Sequence, residues 1–113
     1  MKLRQKELEN GVVLFEVEGN IVGGPDAMVL NDEVHKLIGS GKKKFIVSLK
    51  AVEHINSSGL GILIASLNAV RQAGGDLKIA NASSRVLDLL KITKLNQIFE
   101  SYESVDDAMK NLA

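Results

Sequence analysis

Phe45-Ile46-Val47-Ser48-Leu49, followed at Asn56-Ser57-Ser58-Gly59-Leu60-Gly61 by a long apolar segment, is the stretch from which the fold follows. The first run is short, unbroken and rich in β-branched and aromatic residues, which suits a buried strand. Ala51 to Ile55 continue it to the Asn-Ser-Ser-Gly turn. From Ser58 to Ala73 the period changes. Leu60, Leu63, Ile64, Leu67 and Val70 fall at i, i+3, i+4, i+7 and i+10, the apolar stripe of a helix. Gly74-Gly75 stop it, and Leu77-Lys78-Ile79-Ala80 reads as the next strand. A strand, a helix and a strand in that order predict a parallel pairing with a crossover.

Working outward, Val12 to Glu18 runs from apolar into alternation, a strand with one face buried. Leu3 to Leu8 reads as its partner, and Asn10-Gly11 is a hairpin-turn dipeptide. Gly23-Gly24-Pro25-Asp26 breaks the chain. Met28, Leu30, Val34, Leu37 and Ile38 then mark a helix, with Gly39 and Gly41 at its end. On the far side, Ser83 or Ser84 caps a helix whose apolar positions are Val86, Leu87, Leu89 and Leu90. Ile98-Phe99 is a brief strand candidate. Ser104 stands three residues before Asp107, the spacing of a capping box, and opens a last helix to about Leu112. The order β-β-α-β-α-β-α-β-α predicts an α/β fold with a mixed, mainly parallel sheet of four to five strands, about four helices and an N-terminal β-hairpin. Without repeats, linkers or low-complexity tracts, residues 1–113 form one domain.

Fourteen Lys and Arg balance fourteen Asp and Glu, eight of each up to Ser57 and six of each after it. Zero net charge argues against nucleic acid, whose recognition needs a cationic footprint. With 45% hydrophobic residues the chain can bury a core. The absence of cysteine excludes disulfides, thiolate metal sites and cysteine nucleophiles. No segment approaches the ~20 apolar residues that span a bilayer, and Met1 to Glu7 has no apolar stretch like a signal peptide. A cytoplasmic, monomeric protein with no direct membrane insertion is expected. His35 and His54 stand 19 positions apart among scattered acids, so neither a metal site nor a cofactor is expected.

Three motifs fall short of their chemistry. Gly39-Ser40-Gly41-Lys42 has Lys36 and Lys43 where a phosphate-binding loop needs a glycine and a Ser or Thr. Gly59-Leu60-Gly61 has Ile64 where a dinucleotide fingerprint needs its third glycine. Ser57 has Ile55 where a hydrolase elbow has glycine, and no base is placed beside it, so a serine hydrolase is the weakest reading.

One segment carries specific chemistry. Ile55 to Gly61 passes from strand to helix, and the first N–H groups of a helix are free to face an anion. A phosphate on Ser57 would stand at that positive end. Asn or Ser at such a position is equally an ordinary helix cap. What distinguishes the segment is that His54 to Val70 contains no Asp, Glu, Lys or Arg. Gly61, Ile62, Ala65, Ser66, Asn68 and Ala69, on the other face of the helix, are small, apolar or uncharged. That face is either buried or kept clear for a partner.

Asn56-Ser57-Ser58-Gly59-Leu60-Gly61, after a Val-Ser-Leu-type strand, resembles the STAS domain, and within it the stand-alone bacterial anti-sigma factor antagonists. Their motif is usually Asp-Ser-Ser/Thr-Gly-Leu-Gly. The likeness extends to Gly74-Gly75-Asp76-Leu77 and to Val86-Leu87-Asp88-Leu89-Leu90 with Ile92-Thr93 and Leu95. It implies a non-enzymatic partner switch. The unphosphorylated protein binds a serine-kinase anti-sigma factor and frees the sigma factor; phosphorylation at Ser57 weakens the complex, and a phosphatase reverses it. The implied partner-contacting residues are Asn56, Ser58, Gly59, Leu60, Gly61, Ile62, Ala65 and Asn68. Three positions depart from the family: Asn56 replaces its Asp, Lys94 stands where a Gly is common, and Val22 stands where many relatives carry an Asp after the second strand. Asp26 is a candidate substitute for that last acid. The departures at Asn56 and Val22 keep open a second reading, a non-switching STAS subunit of a lipid-transport or signalling-scaffold assembly.

Overall fold

The structure is a computed structural model; it describes the backbone of residues 1–112 and the side chains of those residues except Asp26 and Ala27. The elements are β1 (Lys2–Glu7), β2 (Val12–Glu18), α1 (Pro25–Gly39), β3 (Lys44–Ala51), α2 (Ser57–Gln72), β4 (Asp76–Ala80), α3 (Ser84–Ile92), β5 (Ser101–Tyr102) and α4 (Val105–Lys110). The sheet runs β1-β2-β3-β4-β5, with β1 antiparallel to β2 and the other pairs parallel. The mixed, mainly parallel α/β sheet expected from the sequence is the one observed.

Alternation along the strands sorts the core into two layers, because successive side chains point to opposite faces. Val13, Phe15 and Val17 of β2, Phe45, Val47 and Leu49 of β3, and Leu77 and Ile79 of β4 pack with Leu30 and Val34 of α1, Leu63 and Leu67 of α2, and Val86 and Leu90 of α3. Phe15 and Phe45 stack at 6.0 Å on this face. On the other face, Val12, Leu14, Ile46 and Ala80 meet Ala108 and Leu112 at α4 and the residues after it. Three helices therefore cover one face and one short helix covers part of the other. Each fully buried leucine of α2 contributes about 1.5–3 kcal/mol.

The hairpin turn is closed by Asn10 and Gly11, both at positive φ (62° and 74°), and by the Leu8 N–H donating to the Val12 carbonyl. Ser83, Ser104 and Asn56 cap their helices with side-chain oxygens that accept from Val86, Asp107 and Gly59 N–H groups. With Asn56 as the cap, α2 begins at Ser57, one residue earlier than the apolar pattern indicates. The fifth strand is a correction. It lies at Ser101–Tyr102, not at Ile98-Phe99. Phe99 is apolar because it plugs the core at 1% exposure, and its N–H turns back to the Leu95 carbonyl instead of joining the sheet.

Candidate functional site

The parallel strands bring the loops that follow β2 and β3 to the same edge of the sheet. Their pairing continues past the strands themselves. Gly19 N–H donates to Ala51 O, Ile21 N–H to His54 O, and Asn56 N–H to Ile21 O. Residues 19–21 thus lie alongside residues 51–56; the first segment runs on to α1 and the second into the first turn of α2.

Asn56 ties this corner together. Its Oδ1 accepts from the Gly59 N–H at 2.8 Å, which caps the helix, and its Nδ2 donates to the Val22 carbonyl at 2.9 Å. Ser57, the first helical residue, is exposed, and among the described residues its hydroxyl has no protein hydrogen-bond partner. Ser58 is exposed and stands against Gly23, where an added Cβ would lie 2.6 Å from the Ser58 Cβ.

The eight expected contact residues divide by helical phase. Asn56, Ser58, Gly61, Ala65 and Asn68 are exposed, and Ile62 is half-buried. Gly59 and Leu60 are buried. A Cβ on Gly59 would stand 2.1 Å from the Ile21 carbonyl oxygen, so the residue is glycine because helix and loop touch there. Gly61 is different: among the described residues nothing lies within 4 Å of the place a Cβ would occupy. Ser66 is also buried, its hydroxyl at 3.2 Å from Asn31 Oδ1 on α1 and donating to the Ile62 carbonyl. The helix that packs alongside α2 adds exposed apolar side chains, Met28 and Val29, and the β2–α1 loop adds Val22 at 52% exposure. Val22 offers no carboxylate where many relatives are expected to carry one. The Asp26 side chain suggested as a substitute lies outside the described residues.

His54 is not a base for Ser57. Both its ring nitrogens lie 3.2–3.3 Å from the Arg85 guanidinium, and among the described residues neither histidine hydrogen-bonds to Ser57. No group of three or more His, Cys, Asp or Glu is placed to hold a metal among the described residues. No helix among them is long and apolar enough to cross a membrane. A groove of about 520 Å³ between His54-Ile55 and the α3 residues Arg85, Leu89 and Ile92 adjoins the loop into Asn56. No sequence pattern marks this groove, and Ile92 on its rim is 80% exposed.

Charge is concentrated elsewhere. Lys78, on the α4 face of β4 and 4% exposed, pairs with Asp76 at 2.7 Å and with Glu100. Burial pushes the Asp76 carboxyl upward, but hydrogen bonds from Lys78 and the Leu77 N–H outweigh it and hold the pKa below the ordinary range. The Lys78 hydrogen bond likewise lowers Glu100. Burial alone would lower Lys78, and its two carboxylates raise it instead.

Comparison with known proteins gives consistent results. The family model described as STAS domain matches residues 4–108. An anti-sigma-B factor antagonist of Bacillus subtilis is 33% identical over 88 residues, covering 75% of this chain and 80% of that protein. Among solved structures, an anti-sigma factor antagonist from Mycobacterium paratuberculosis superposes with a TM-score of 0.80 at 23% identity, covering 98% of this chain and 94% of that one. The Bacillus cell fate determinant SpoIIAA in its phosphorylated form superposes at 0.76 with 12% identity, over 99% of this chain and 100% of that one. At such identities the superpositions speak for the fold.

Proposed function

The chain belongs to the STAS domain family, and from that premise we propose that it is an anti-sigma factor antagonist switched by phosphorylation at Ser57. In the unphosphorylated state the outward flank of α2 binds a serine-kinase anti-sigma factor, and the sigma factor is released. The protein acts as ligand and kinase substrate, and catalyses nothing itself. One observation carries the reading. Ser57 opens α2 exposed, beside a flank that bears no charge and has open space at Gly61. A phosphate there adds about −1.5 to −2 charge and three acceptor oxygens to a neutral contact. The positive end of the helix favours the anion, so the modified protein keeps its fold. The partner's side of the contact, desolvated against a neutral surface, does not tolerate it.

The experiment incubates the protein with its cognate kinase-type anti-sigma factor and ATP, and locates phosphate by mass spectrometry. Phosphate on Ser57 and weaker binding of Ser57→Asp are expected. An active kinase that leaves Ser57 unmodified removes the switch. In that case co-purification with transporter components would favour the non-switching subunit, the reading motivated by Asn56 and Val22.

A further inference from the structure

Asn56 uses both ends of its carboxamide, and the two ends reach different parts of the chain. The oxygen caps α2 through Gly59; the nitrogen crosses to Val22, 34 residues earlier. Backbone pairing secures the loop as far as Ile21, which exchanges hydrogen bonds with His54 and Asn56. Past Ile21, among the described residues, the Asn56 amide is the one side-chain hydrogen bond that reaches residues 22–24. Gly23 and Gly24 both hold positive φ, 85° and 83°, a conformation that glycine alone adopts without strain. Gly23 in turn rests on Ser58 with no room for a Cβ. An aspartate, the usual family residue, has acceptors only; it could cap the helix and could not donate to Val22.

We propose that Asn56 is a positioning residue, whose carboxamide clasps the Val22–Gly24 segment to the first turn of α2 and thereby sets where the exposed Val22 stands relative to Ser57. The clasp is independent of any partner; its use in docking rests on the function proposed above. The loop is held by a neutral donor, so the corner keeps its shape without placing a charge beside the phosphorylation site.

Asn56→Asp is the discriminating variant and Asn56→Ala its control. The aspartate variant retains the capping oxygen, so α2 stays intact. At neutral pH its carboxylate has no proton for the Val22 carbonyl. When protonated, it supplies an O–H donor in place of the amide. Gly23 shares a peptide group with that carbonyl, so its amide resonance reports whether the oxygen accepts a hydrogen bond. The expected result in Asn56→Asp is a displaced Gly23 resonance at pH 7 that returns toward wild type as pH falls through the carboxylate range near ~4. In Asn56→Ala the displacement does not return. Glu53 and His54 stand on the loop leading into Asn56, Arg85 lies against His54, and Asp26 follows the two glycines in the chain; a wild-type titration run alongside subtracts whatever they contribute. A residue that served only as a cap would leave Asn56→Asp like wild type. A Gly23 resonance unchanged at pH 7, or displaced and indifferent to pH, overturns the proposal. With the cognate kinase, Asn56→Asp is expected to raise KM for Ser57 phosphorylation about fivefold, the equivalent of one hydrogen bond, with kcat intact; an unchanged KM overturns the positioning role. The resonance measurement needs no kinase, so failure of the phosphoswitch and failure of the clasp are told apart.

Discussion

The inward and outward flanks of α2 answer to different selective demands, and Gly59 and Gly61 show it at closest range. Gly59 faces the protein's own backbone, where Ile21 leaves no space for a methyl group. Gly61 faces open space, where none of the described residues asks for glycine. A glycine inside a helix costs roughly 0.5–1 kcal/mol relative to alanine, so on the outward flank that loss is unrelieved by any internal contact. The inward flank is explained by the fold, and the outward flank is the one we propose for a partner. The other end of α2 repeats the inward case: a Cβ on Gly75 would stand 2.0 Å from the Lys43 carbonyl oxygen. The loop from α2 into β4 thus meets the loop before β3 through a glycine, as α2 meets the Ile21 loop at its start.

The largest effect that tests this contrast is Gly59→Ala. The added methyl meets a backbone carbonyl, which cannot rotate away as a side chain can. Separation of α2 from the Ile21 loop is expected to cost about 3 kcal/mol, at the upper end of overpacking. Urea unfolding with an unchanged m-value measures it. A stability equal to wild type would show that the seat is soft and that Gly59 and Gly61 are not different in kind.

Charge sharpens the comparison. The exposed flank of α2 carries none from Ser57 to Val70, whereas the buried Lys78 is matched by Asp76 and Glu100 on the opposite face of the sheet. Replacing Lys78 with Met keeps the volume and removes the cation. The expected loss is about 1–2 kcal/mol, reduced from the buried-pair range because both carboxylates are partly solvated. The pH dependence follows from the directions of the shifts. Asp76 and Glu100 are lowered, so their contribution is present above the ordinary carboxylate range and is lost as pH falls through their native values. Lys78 is raised, so its contribution is present below the ordinary lysine range and is lost as pH rises through its native value. Wild type and Lys78→Met should therefore differ most between about pH 5 and 10 and converge as pH falls below the ordinary carboxylate range, in thermal melts. Parallel curves at every pH would remove the triad from the account.

Ser66 is a smaller probe of where the flanks divide. Its hydroxyl is buried between α1 and α2 and lies near Asn31 Oδ1. Ser66→Ala is expected to cost about 1 kcal/mol, one buried hydrogen bond, while Asn68→Ala, two positions on and exposed, stays within about 0.5 kcal/mol of wild type. Equal costs would mean that the helix is rotated from the phase described.

Much of this was legible in the residues. The strand-to-helix change of period at Leu49–Leu60 sets a parallel α/β sheet, and Asn10-Gly11 sets its hairpin. The phase of the two glycines was not: the residue pattern groups Ser66 with Gly61 on the other face of α2, and the structure buries Ser66 with Gly59. Gly59, Leu63, Ser66 and Val70 are spaced 4, 3 and 4 along α2, one buried row, and Gly61 is out of step with them. A motif read as a block hides that phase. Other features were beyond reach. Ile98-Phe99 and Ser101-Tyr102 are both short, and an apolar pair looks more like a strand than a polar one until the core position of Phe99 is known. The second hydrogen bond of Asn56 depends on a carbonyl 34 residues away, which no local pattern reports.

Gly61→Ala is the smallest change in the molecule and the one that bears most directly on what the outward flank is for. Two effects are expected, and they have opposite signs. In the free protein the methyl enters open space and relieves the conformational cost of glycine, so stability should rise by roughly 0.5–1 kcal/mol. Against the anti-sigma factor partner the same methyl occupies the gap next to the helix backbone, one turn from Ser57. If that gap is where the partner approaches, binding weakens in a protein that is more stable than wild type, so the loss cannot be assigned to unfolding. Calorimetric melts and titration with the partner measure the two quantities separately. A variant that is both more stable and equally well bound would show that the gap at Gly61 is not used, and the docking surface would then have to be sought nearer Val22, Met28 and Val29, whose exposed apolar side chains have no role in the core.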